Sequence, residues 1–185
     1  MRQLAQRHGW SAGLLVLLLL LLALTKFIQP SFGAVGLENL TRAALPFAFA
    51  TAAMAVVVIV GGIDLSVASM MAACSVTVAV LMETLGGIPA ILITLGVGAS
   101  MGAVNGGLVV LTRVPDIVVT LAMLYVWEGT ALLILNSPGG SMVGWMQSSI
   151  AGSFIIDGLP KALILITICV AVLWVPIKRS KLGLS

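Results

Sequence analysis

Residues 43–82 read AALPFAFATAAMAVVVIV, GGIDLS and VASMMAACSVTVAVLM, which is two apolar runs separated by a short break at 61–66. Each run approaches the ~20 residues that a helix needs to cross the hydrocarbon core of a bilayer. The break contains two glycines and an acidic residue, and it leaves almost no loop between the runs. This stretch therefore predicts two membrane-spanning helices joined by a tight connection.

The composition of the whole chain agrees with this stretch. Of the 185 residues, 61% are hydrophobic and 8% are charged, and the mean hydropathy is +1.23, whereas about a quarter of the residues in a soluble domain are charged. A soluble particle of this size would leave much apolar side-chain surface in water. The composition excludes that class and predicts an all-α fold, a polytopic transmembrane helix bundle in lipid.

Apolar stretches of spanning length occur about six times, at 11–28, 43–60, 65–82, 90–111, 117–135 and 162–177. We interpret residues 1–185 as one transmembrane domain, with a short interfacial segment around Trp145 in the 136–161 connection. The first stretch could also be the apolar core of a secretory signal peptide. Because Lys26 follows it closely and apolar residues then resume at Phe27, an uncleaved helix is favoured.

The basic residues indicate the orientation, because Lys and Arg are enriched in cytoplasmic loops. With six spans, one side of the membrane carries Arg2, Arg7, Arg113, Lys178, Arg179 and Lys181, and the other carries Lys26, Arg42 and Lys161. Both termini are therefore predicted to be cytoplasmic. The charges form no basic stripe, so no nucleic-acid partner is expected. Cys74 and Cys169 lie in apolar runs and His8 is the single histidine, so no metal or other cofactor is expected.

Small residues recur at helical spacing in two of the runs. Gly98, Gly102 and Gly106 share one face of the fourth run, and Ala44, Ala48 and Ala52 share one face of the second. Because helices in lipid associate through close packing, these rows predict helix contacts in one tight bundle.

The break contains the first candidate site, Gly61, Gly62, Asp64 and Ser66. One interpretation is structural: the glycines end one helix, and Asp64 or Ser66 caps the next by accepting its free N–H groups in a cytoplasmic turn. The other is functional, with a break at membrane depth beside a substrate path, since non-helical backbone there must be satisfied by protein or water. Both interpretations stay open.

Two further polar residues lie inside apolar runs. Glu128 falls near the middle of 117–135, where a carboxylate must face the bundle interior, pair with a donor, line water or take a proton. Asn105 lies in the fourth run, and a hydrogen bond between helices explains it. Both are added to the candidate substrate path, and no catalytic residue is assigned.

Three strings give the chain a family resemblance: residues 58–67 (VIVGGIDLSV), 105–109 (NGGLV) and 114–121 (VPDIVVTL). In their order and spacing, they resemble the permease subunits of bacterial ATP-binding-cassette (ABC) importers for simple sugars and autoinducer 2, of the type II permease fold. Ala68 stands where this family usually has Gly, and Glu128 where Arg is common. The resemblance covers about the first half of a family member, which implies an incomplete chain without the later spans and the cytoplasmic docking segment beyond residues 178–183.

The resemblance implies a permease that moves a monosaccharide or related small polar solute across the bacterial inner membrane. Its expected partners are an ATP-binding subunit, a periplasmic sugar-binding protein and a second permease copy, identical or not. The sequence has no Gly-x-x-x-x-Gly-Lys-Ser/Thr string to bind nucleotide phosphates, so another subunit would hydrolyse ATP. The alternatives are an importer of nucleosides or branched amino acids, an ATP-independent carrier or structural membrane subunit, and an intramembrane enzyme that uses Asp64 with Glu128.

Overall fold

The computed structural model describes residues 2–137, 139–140, 142–150 and 161–179. The regular secondary structure of these residues is entirely α-helical, which confirms the predicted fold class. The helices are α1 Arg2–Ile28, α2 Ala34–Ile59, α3 Val67–Leu85, α4 Gly87–Thr112, α5 Asp116–Ile134, the short α6 Gly144–Ile150 and α7 Lys161–Arg179.

The six apolar runs correspond to the six long helices. Among the described residues, α2, α3, α4 and α5 are long and apolar enough to cross a membrane, while the apolar part of α1, Ala12–Ile28, is shorter. The count of six crossings stays a prediction. Residues 151–160 of the long connection and residues 180–185, after which the docking segment is expected, lie outside the described residues.

Helix α3 is the centre of the described bundle. It packs against both α4 and α5, and α2 packs mainly against α7. The buried core where α3, α4 and α5 meet consists of Ala73, Met101 and Ala131. Small side chains at two of these three positions allow the helix backbones to approach closely, as packing in lipid favours. Large apolar side chains on the outer faces remain exposed, for example Leu133 at 89%.

The segment after α5 folds back over the end of the bundle where α3 ends and α4 begins. A Cβ atom added to Gly87 would lie 2.8 Å from Trp145 Cζ2, and one added to Gly140 would lie 2.5 Å from the Ala79 Cβ. A short helix, α6, forms around Trp145, and its location at the membrane interface stays a prediction. These contacts put the 139–150 segment at one end of α3 and the 61–66 break at the other.

Candidate functional site

The break between α2 and α3 begins with a specific helix ending. The Gly61 N–H donates to the Val58 carbonyl at 2.9 Å and the Gly62 N–H donates to the Val57 carbonyl at 3.0 Å. These two bonds are the pair of a Schellman motif, in which the residue after the helix takes a left-handed conformation. Gly61 has that conformation, with a φ of 85°. Glycine is favoured there because it has no Cβ to clash.

The backbone of the break is then bonded to the start of α5. The Asp116 carboxylate accepts the Ile63 N–H through Oδ2. The Thr120 hydroxyl accepts the Leu65 N–H at 3.1 Å and lies 3.3 Å from the Ile63 carbonyl oxygen. Backbone groups that leave a helix need partners inside the protein when no water is present. Two side chains of α5 provide them.

Polar side chains connect the break with α4 and α5. The Ser66 hydroxyl donates to Asp64 Oδ1 at 2.6 Å, and the Asn105 Nδ2 group donates to Ser66 Oγ at 2.7 Å. The Trp127 indole N–H donates to Asn105 Oδ1 at 3.1 Å. Ser66 is fully buried and Asn105 is 4% exposed. We call Asp64, Ser66, Asn105 and Trp127 the polar chain.

The capping interpretation of the break needs a correction. Ser66 is the N-cap residue of α3, but its side chain makes no capping hydrogen bond. Its hydroxyl is bonded to Asp64 and Asn105 instead. Asp64 accepts the N–H of Ser66 itself, at 2.8 Å. The expectation that Ser66 accepts a free N–H of α3 was therefore wrong, because the polar chain takes up its hydroxyl.

An open cleft of about 810 Å³ lies beside the break. Its walls are mostly valine and glycine from the end of α2 and the last turns of α4. The polar and charged side chains that line it are Asp64, Asn105, Arg113, Asp116 and Thr120. A few convergent polar groups in an otherwise apolar cavity are typical of small-molecule sites.

The cleft brings together most of the candidate residues. Gly61, Gly62, Asp64 and Asn105 line it, and Ser66 is buried behind Asp64. The glycine row of α4 contacts α3 at one end and lines the cleft at the other. A Cβ atom at Gly98 would lie 3.3 Å from Cys74 Sγ of α3, whereas Gly102 and Gly106 line the cleft.

Glu128 lies apart from this site. It does not line the cleft and is exposed on α5, and the described residues give it no hydrogen-bond or ion-pair partner. Asp64 and Glu128 thus do not meet at this cleft, so the cleft gives no geometric support to the two-carboxylate enzyme.

Sequence reasoning missed four residues of the site: Arg113, Asp116, Thr120 and Trp127. Asp116 and Thr120 belong to the quoted 114–121 string and are spaced by one helical turn, so that spacing could have signalled a shared face. Trp127 carries no such signal, because an indole in an apolar run is ordinary until a buried acceptor is found near it.

The residues of the site lie inside the part of the chain that matches a known protein family. The sequence profile of the family described as branched-chain amino acid transport system / permease component matches residues 36–185. The autoinducer 2 import system permease proteins LsrD of Escherichia coli O157:H7, Escherichia coli K12 and Shigella flexneri are 31% identical over 193 residues. These matches cover 96% of this chain and 56% of each relative, so the chain spans about half the length of these relatives. No solved structure matches the chain.

Proposed function

Because this chain belongs to the branched-chain amino acid transport system / permease component family, we propose that it is the membrane-spanning permease subunit of an ABC importer. Its apolar helices and its family make it a multi-pass membrane protein. The solute is a monosaccharide or a related small polar molecule, and the relatives named for autoinducer 2 import support this class. The observation that supports transport most directly is the cleft beside the break, with Asp64 on its wall.

The depth of the cleft supports a transport path. The Ser66–Asn105 hydrogen bond lies seven residues before Thr112, the last residue of α4, which is about 10 Å along a helix. If α4 spans the bilayer, the Ser66 end of the break lies below the membrane surface, while Ile63, which is bonded to Asp116 at the start of α5, lies at the level of the helix ends. Non-helical backbone at that depth is tolerated where protein satisfies it or where it lines a water-filled cavity.

The chemistry of Asp64 supports a solute rich in hydroxyl groups. A carboxylate is an acceptor, and each sugar hydroxyl is a donor. One Asp64 oxygen is bonded to Ser66, and the described residues bring no donor to the other. A solute in the cleft can therefore donate to Asp64 without breaking the polar chain.

The energy and the delivery of the solute come from other subunits. The sequence has no phosphate-binding loop, so a separate ATP-binding subunit drives the cycle from the cytoplasm. A periplasmic binding protein delivers the solute, and a second permease subunit completes the pathway. The protein lies in the bacterial inner membrane with both termini of residues 1–185 in the cytoplasm, as the loop charges predict.

Co-expression of the full-length permease with the products of its neighbouring reading frames tests the proposal. We expect an ATP-binding subunit to co-purify, and proteoliposomes to take up labelled solute only with ATP. D-ribose, autoinducer 2 and leucine are the probes, because they represent the sugar, signal and amino-acid alternatives. Uptake without ATP or without an ATP-binding subunit would support a carrier instead and would contradict the proposal.

Asp64→Asn tests the path separately. This change keeps the size of the side chain and removes its charge, so a path residue should lose most of the uptake while the ATP-binding subunit still co-purifies. Glu83→Gln is the matched control, because Glu83 is an exposed carboxylate at the far end of α3. Normal uptake by Asp64→Asn, or a failure to assemble, would contradict a path function for Asp64.

A further inference from the structure

The hydrogen bonds of the polar chain can run in only one direction. The Trp127 indole is a donor only, so the Asn105 atom facing it at 3.1 Å must be the amide oxygen. The Asn105 NH₂ group then faces Ser66 at 2.7 Å, and since that group can only donate, Ser66 Oγ must accept. The single hydroxyl proton of Ser66 is left for another acceptor.

That acceptor is Asp64. Its Oδ1 atom lies 2.6 Å from Ser66 Oγ, whereas the competing Met70 sulfur lies at 3.4 Å and is a weak acceptor. Asp64 Oδ1 also accepts the Ser66 N–H at 2.8 Å. Each donor in the series from Trp127 to Asp64 therefore has a defined acceptor, and the series ends on a carboxylate.

The consequence is that the two oxygens of Asp64 differ. Oδ1 is held by the two Ser66 donors, while Oδ2 has no donor among the described residues and Asp64 lines the cleft. A bond made by a buried donor to a charged group is short and well oriented. The rotation of the carboxylate is thus held by the two Ser66 donors, and one of them, the hydroxyl, is in turn oriented by Asn105 of α4 and Trp127 of α5.

We propose that Asn105 and Trp127 are positioning residues, which orient the Asp64 carboxylate through Ser66 so that one oxygen is presented to the solute. The expected effect on uptake rests on the proposed function. The order of the hydrogen bonds does not depend on it. Trp127 lies on α5 and Asn105 on α4. The proposed orientation of the carboxylate therefore depends on side chains from both helices.

The hydrogen-bond order can be measured on the full chain in lipid nanodiscs by NMR of ¹⁵N-labelled indole groups. The chain has four tryptophans, so four indole signals are expected, and Trp127→Phe identifies the one from Trp127. Ser66→Ala removes the acceptor of Asn105 and weakens the polarisation of the next bond in the series. We expect it to shift the Trp127 signal and to leave the other three in place.

Ser69→Ala is the control for this measurement. Ser69 is also a buried serine near the start of α3, but its hydroxyl donates to the Ser66 backbone carbonyl and lies outside the polar chain. We expect this variant to leave the Trp127 signal unchanged. No shift with Ser66→Ala, or an equal shift with Ser69→Ala, would overturn the proposed order.

Uptake by the assembled transporter tests the positioning itself. We expect Trp127→Phe, which removes only the indole N–H and some ring area, to lose most of the uptake with assembly intact, and Trp145→Phe to retain it. If Asp64→Asn abolishes uptake while Trp127→Phe retains it, the positioning inference is wrong and the path proposal stands. If Asp64→Asn transports normally, the path proposal is wrong, and the indole signals still decide the order.

Discussion

Gly61 is the left-handed residue that follows the end of α2. Its φ of 85° is left-handed, and a Cβ atom built there would meet nothing within 4 Å. The cost of a side chain at this position is therefore conformational and not steric, about 1–2 kcal/mol for an L-residue in that region. We expect Gly61→Ala to lower the free energy of unfolding by about this amount, measured by unfolding of the micelle-bound chain in SDS.

Gly106→Ala is the control for Gly61. A Cβ atom there also meets open space, but the residue lies inside α4 with an ordinary helical φ. Alanine in a helix interior is more favourable than glycine by up to about 1 kcal/mol. A stability loss at Gly106 equal to that at Gly61 would contradict this account of the break.

At the residue scale, the sequence identified the polar atoms but not all of their partners. Asp64 and Asn105 stand out because polar side chains inside apolar runs need a reason. Their connection through Ser66 depends on α3 and α4 packing in one register, which composition does not specify. Trp127 and Thr120 complete the network from α5, 22 residues from Asn105 and 55 from Leu65 in sequence. Contacts at such separations follow from the packing of the helices.

At the element scale, Thr120 joins α5 to the break. Thr120→Val keeps the shape of the side chain and leaves the part-buried Leu65 N–H without its partner, which costs about 0.5–1.5 kcal/mol, the net contribution of a typical hydrogen bond. We expect that loss in SDS unfolding, together with faster hydrogen exchange of the Leu65 amide.

Thr130 provides the matched control on the same helix. Among the described residues, its hydroxyl bonds only the Val126 carbonyl, one turn earlier in α5. Thr130→Val should therefore change the stability by much less than Thr120→Val. Equal losses would mean that the break is not held by α5.

Glu128 is exposed on α5 among apolar neighbours, with no partner among the described residues. A carboxylate near the bilayer centre costs at least ~2.5 kcal/mol. We expect Glu128→Leu to raise membrane insertion of the α5 segment by a comparable free energy in a translocon insertion assay. Leu132→Ala, an apolar change one turn away, should have a much smaller effect, and equal or lower insertion of Glu128→Leu would contradict this cost of the carboxylate.

The helices were more predictable than their ends. Each apolar run falls in one helix, because hydropathy reports the lipid-facing surface directly. Helix α2, however, begins at Ala34, before the apolar run at 43–60, and it continues through Pro46. Its polar first turns contain an ion pair one turn apart between Glu38 and Arg42, which stabilises a helix without adding hydropathy.

At the scale of the whole molecule, the structure separates the two ends of the bundle. The 61–66 break and the 113–115 turn border one cleft, while Trp145 packs on Gly87 at the opposite end. With Cys74 and Cys169 replaced by alanine, we expect Arg113→Cys to react with an impermeant thiol reagent from the cytoplasm and Ser137→Cys from the periplasm. Labelling from the reverse sides would overturn the predicted orientation.

We infer that a hydrated cleft lies at membrane depth beside the Ser66 end of the break. In the same cysteine-free background, Gly106→Cys and Gly107→Cys test this cleft at nearly the same depth. Gly106 lines the cleft and Gly107 does not. A Cβ atom meets nothing within 4 Å at either position, so both cysteines fit. Both lie about 9 Å or less from the end of α4. We expect a charged methanethiosulfonate reagent to label Gly106→Cys in membranes and to leave Gly107→Cys unlabelled. Equal labelling of the two, or none at Gly106→Cys, would contradict it.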